Sequence, residues 1–147
     1  RCAILQQLLG EYETWQKIIV GHSNGCAVAL EGLRLAGWPR IESLHLVSGA
    51  CEADFNRNGL NGALVAGRIG KAYVYCAGKD MALRLARQPL AKILGYGTMG
   101  LGPKNINPVL GPGRVTTIDD GPWKAYGHSS MWADTEFDTT ARMVTVA

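Results

Sequence analysis

The chain has 147 residues, the length of one domain, and its 47% hydrophobic and 18% charged residues exclude a disordered tract. Its apolar runs fall far short of the roughly 20 residues that a membrane-spanning helix needs. A net charge of +3, scattered and without a basic run, gives no footing for a nucleic acid.

In chain order, Ile4, Leu5, Leu8, Leu9 and Tyr12 recur at helical spacing, so residues 2–13 are predicted to form an amphipathic helix. Residues 17–21 (K-I-I-V-G) form a short β-branched run and predict a buried strand. The Ala- and Leu-rich residues 24–36 predict a helix stopped by Gly37 and Pro39. Residues 41–48 and 71–77 predict a second and a third strand, 81–94 a helix that Pro89 must break or restart, and 114–119 a fourth strand. Strands alternating with helices imply an α/β fold, a mostly parallel sheet with helices on both faces, in a single domain over 1–147. Two Gly-rich stretches interrupt the alternation. One is 56–70, with an apolar piece at 60–69; the other is 95–113, long enough to be either a functional cover or a surface excursion.

The chain opens on Arg1 without a basic-then-apolar leader, so it is expected to be processed or cut from something longer, and the domain to be incomplete at its N-terminus. Cys2, Cys26, Cys51 and Cys76 form no C-x-x-C pair, and no metal or other cofactor is expected. Three of them lie in or beside apolar runs and are expected to be buried free thiols, which suits a cytoplasmic location, with disulfides as the alternative.

Gly21-His22-Ser23-Asn24-Gly25 is a G-x-S-x-G between an apolar strand and a helix of small residues. A turn this sharp strains its central residue and lifts the Ser23 hydroxyl to the N-terminus of a helix, where the dipole favours negative charge. The Asn24 N–H then faces a bound oxyanion. The structural alternative is a helix capped by Ser23 or Asn24. A serine hydroxyl needs a base. His22 lies inside the turn and must leave on another side, and His45 falls in mid-strand as a structural histidine. His128 follows the last strand at the carboxyl end of the sheet, where catalytic groups of α/β proteins collect. For the carboxylate that orients the base, Asp80 follows the third strand and could equally cap the next helix, one oxygen serving each task. Asp54, after the second strand, is its rival, whereas Asp119 and Asp120 precede Gly-Pro and read as turn residues.

Together these residues resemble the α/β-hydrolase family: G-H-S-N-G as nucleophile elbow, L-H-L-V-S-G-A as the following strand, V-Y-C-A-G-K-D as the acid strand and Y-G-H-S-S as the histidine loop. The resemblance covers the family's C-terminal portion, from elbow to histidine, with no counterpart of the strands that precede the elbow. It implies a Ser23/Asp80/His128 triad that hydrolyses a carboxylic ester through an acyl-enzyme, the substrate's acyl group lying against Trp123, Met131, Trp132 or the two loops. Readings of other kinds are a non-catalytic hydrolase-fold domain for binding or assembly, and an acyltransferase or peptidase with the same triad. The strand at Lys17 to Gly21, with its unbroken apolar run Ile18, Ile19 and Val20, is expected to be paired on both edges, by an upstream segment or a second subunit.

Overall fold

A computed structural model describes residues 2–12, 14–86 and 97–130. Four parallel strands, β1 (Ile18–His22), β2 (Ile41–Val47), β3 (Ile69–Tyr75) and β4 (Val115–Ile118), lie side by side in the order β1-β2-β3-β4. Between them run α2 (Asn24–Leu35), α3 (Leu60–Val65) and α4 (Met81–Leu85), and α1 (Cys2–Glu11) precedes β1. The architecture is α/β. The predicted strands and helices recur with ends moved by a residue or two. The exception is the helix predicted over 81–94: α4 accounts for its start, and 87–96, with Pro89, lies outside the described residues.

Among the described residues, α1, α2 and α3 pack on one face of the sheet. Ile19, Leu44, Ala72 and Val115 stand in register on one face, and there they meet Leu30 and Leu33 of α2, Leu60 and Leu64 of α3, and Leu9 of α1 in one core. The strand order explains this. Crossovers between parallel strands are right-handed as a rule, so connections that always step the same way across a sheet all fall on one face. The opposite face carries Val47, Tyr75 and Ala77, packed among the described residues by Trp123 and Tyr126. β1 is an edge of the sheet: no described residue pairs with its outer side, and Ile18 and Val20 are 41% and 46% exposed, so within these residues the strand is covered on one face rather than buried. Ile19 between them points to the covered face and packs on the core.

Of the two interruptions, 60–69 contains α3, whose Leu60 and Leu64 are buried. The described part of 95–113 is anchored in the core at two points. It forms 3-10 turns at Met99–Leu101 and Pro108–Leu110 that bury Met99 and Leu110 in the main core. The turn also crosses the carboxyl end of β2, where Gly100 N–H donates to Gly49 O at 3.0 Å. A Cβ on Gly100 would sit 2.6 Å from the Gly49 nitrogen, so only glycine permits that crossing. Cys26, Cys51 and Cys76 are buried and unbridged, and Cys2 is half-buried. No helix among the described residues is long and apolar enough to cross a membrane.

Candidate active site

Ser23 joins β1 to α2 with φ 54° and ψ −124°, a conformation that L-residues rarely adopt. The surrounding chain holds it there. Its N–H donates to Val47 O at 3.0 Å, and its carbonyl accepts from Cys26 N–H at 3.1 Å and Ala50 N–H at 3.0 Å. The two flanking glycines differ. A Cβ on Gly21 would lie 2.9 Å from Cys26 Cα, so this glycine lets strand and helix approach. A Cβ on Gly25 would meet nothing within 4 Å. Asn24 opens α2, where an N–H has no acceptor inside the helix and the dipole is positive.

The structure brings Ser23, His128 and Asp80 together. Ser23 Oγ lies 2.7 Å from His128 Nε2, and His128 Nδ1 lies 2.8 Å from Asp80 Oδ2. With Nδ1–H donating to the carboxylate, Nε2 is left to accept the serine proton. Asp80 is fully buried and uses both oxygens. Oδ1 caps α4 by accepting from Leu83 N–H at 2.8 Å, while Oδ2 meets the imidazole. The histidine loop is bound to the acid turn through its backbone: Gly78 N–H donates to Trp123 O at 2.8 Å and Lys79 N–H to Tyr126 O at 2.9 Å. A Cβ on Gly78 would lie 2.5 Å from Lys124 O, so the acid turn needs its glycine for this contact.

His22 has a place that the sequence reading did not give it. Its Nε2 lies 2.8 Å from the carbonyl oxygen of His128, an acceptor only, so the imidazole donates and ties the histidine loop to the end of β1. The two rings stand 5.3 Å apart. The one advance signal was a second histidine beside the serine.

The remaining candidates lie elsewhere. Asp54 accepts from Asn105 Nδ2 at 2.8 Å and from the N–H groups of Asn56 and Arg57, which makes it the anchor of a turn; the Asn105 amide foremost holds its carboxyl below the ordinary range. His45 is buried, between Ser43 Oγ at 3.1 Å and the Tyr75 hydroxyl at 2.8 Å, and burial lowers its pKa. Burial likewise pushes the Cys76 thiol up to about 11. Asp120 makes a turn, its carbonyl accepting from Trp123 N–H, and Asp119 lines a cavity of about 600 Å³ that touches neither Ser23 nor His128. A cavity that both of them line holds about 290 Å³. Trp123, expected against a substrate, is instead buried beside Tyr75 on the sheet, and Met131 and Trp132 lie outside the described residues. Among the described residues no cluster of metal-ligating side chains occurs.

Comparison with protein-family models, with curated proteins and with solved structures finds no match.

Proposed function

We propose that the protein is a serine hydrolase acting on a carboxylic ester. The observation that carries this reading is the unbroken chain from Ser23 Oγ through His128 to the buried Asp80, with both hydrogen bonds under 3 Å. Its chemistry follows from the donors and acceptors. Ser23 Oγ attacks the ester carbonyl carbon as its proton passes to His128 Nε2. The carbonyl oxygen gains negative charge and is met by the Asn24 N–H at the start of α2. As the C–O bond breaks, the imidazolium returns the proton to the departing alkoxide, leaving an acyl group on Ser23. Water, deprotonated by the same nitrogen, then attacks the acyl carbon; the acid leaves and Ser23 recovers its proton. Asp80 stays ionised and fixes the Nδ1–H tautomer.

The test is covalent labelling with a fluorophosphonate, together with hydrolysis of a p-nitrophenyl ester. Wild type should label at Ser23, and Ser23→Ala should lose both signals. Asp80→Asn should retain its fold while kcat falls on the order of 10⁴-fold, because the tautomer is wrong. Asp54→Asn should change kcat little. A folded wild type that neither labels nor hydrolyses would move the protein to the reading of a hydrolase-fold binding domain.

A further inference from the structure

The cavity of about 290 Å³ beside the elbow has a composition that defines an occupant. Ser23 and His128 line it, so a group seated in it lies next to the reacting atoms. Its other described walls are Ala50, which follows β2, and Ala82, Leu83, Leu85 and Ala86 at α4. None of these wall residues carries a charge or an amide. The nearby cation, Arg84, is turned elsewhere and donates to Gly78 O at 2.8 Å. Ala82 and Ala86 are four positions apart, one helical turn, and therefore line the same side of α4. Methyl side chains at both leave the space that a larger residue would fill.

We infer that this cavity seats a small, uncharged hydrocarbon group of the ester. The inference rests on the hydrolase reading and gives it a substrate class. The described walls leave about 290 Å³, room for a short chain or a single ring. Against these walls a charged or strongly polar group would lose its water without gaining a partner from them. The wall is also fixed to the catalytic geometry, because the carboxylate that caps α4 is the one that holds His128. The hydrocarbon can come from either side of the ester bond. Ser23 holds the acyl group and His128 meets the leaving oxygen, and both border the cavity.

Two ester series separate the sources: p-nitrophenyl esters from acetate to palmitate, and acetates of alcohols from methanol to octanol. In one series kcat/KM should rise about tenfold or more per methylene over the first members and then fall, and that series identifies which side of the ester enters. Ala86→Leu should move the optimum to a shorter chain, and Leu85→Ala to a longer one. A folding defect cannot produce opposite shifts. A wild type that labels at Ser23 but shows flat kcat/KM in both series, or an optimum that neither variant moves, overturns the inference and leaves the hydrolase reading standing. A wild type that does not label overturns the hydrolase reading itself.

Discussion

His22 and His128 are joined side chain to backbone: the His22 imidazole donates to the His128 carbonyl at 2.8 Å. The donor sits at the end of β1, in register with Val47, and the acceptor belongs to a loop without regular structure. The strand therefore fixes the loop, and through it the base.

This bond has a measurable consequence. His22→Leu removes the donor and should lower kcat by roughly 10- to 100-fold with KM nearly unchanged, the size of effect expected when a reacting group shifts by about 1 Å. His22→Gln keeps an N–H that reaches a carbonyl and should recover most of the loss. Equal kcat in the two variants would remove His22 from any positioning role.

The two glycines of the elbow should respond oppositely to the same change. Gly21→Ala drives a methyl into the backbone of Cys26 and should destabilise the fold by about 1–3 kcal/mol, displacing Ser23 as it does so. Gly25→Ala meets open space on α2 and should be neutral or stabilising by about 0.5–1 kcal/mol. Chemical denaturation of the two variants decides the matter. A similar loss in both would mean that the elbow needs its second glycine for a reason other than space.

The elbow itself was legible because its signal is local. An apolar run, five residues and a helix of small residues lie within twenty positions, and Asp80 and His128 follow strands that their own β-branched and aromatic residues announce. What was hidden depends on distant contacts. The helix α3 reads L-N-G-A-L-V, too short and too Gly-interrupted to stand on propensity, and it exists because Leu60 and Leu64 enter the core. The stretch after residue 96 left a cover and a surface excursion open because Met99 and Leu110 have no periodic neighbours, and both are core residues. His22 donates to a group 106 positions away, a relation that no local pattern encodes.

His45 predicts a pH dependence of stability. Burial places its folded pKa below the unfolded value of 6.5, so the unfolded chain takes up a proton first as pH falls. The contribution is complete above about pH 6.5 and is lost as pH drops toward the folded value. Denaturation midpoints should therefore fall through that window, and His45→Gln should flatten the fall. An unchanged slope in the variant would assign the pH dependence to other groups.

The outer edge of β1 is where another strand is expected to add, supplied by a further segment of the chain or by a second copy. The 147-residue chain should accordingly self-associate as its concentration rises, and Val20→Lys should oppose this by placing a charge beside that edge. Sedimentation across a concentration series measures it. A wild type that stays monomeric throughout, with the variant indistinguishable, would show that the edge needs no partner.

The contact between Ser23 and His128 spans 105 positions, and that between His128 and Asp80 spans 48. Both contacts need the loop that follows β4, the last strand of the described sheet. Pairings this remote in sequence are late and slow relative to helix formation. Helical signal should therefore return before any reactivity of Ser23 when the denatured chain is diluted into buffer. The serine's reactivity thus serves as an internal clock for the closing step of folding, readable with a labelling reagent and no spectroscopic tag.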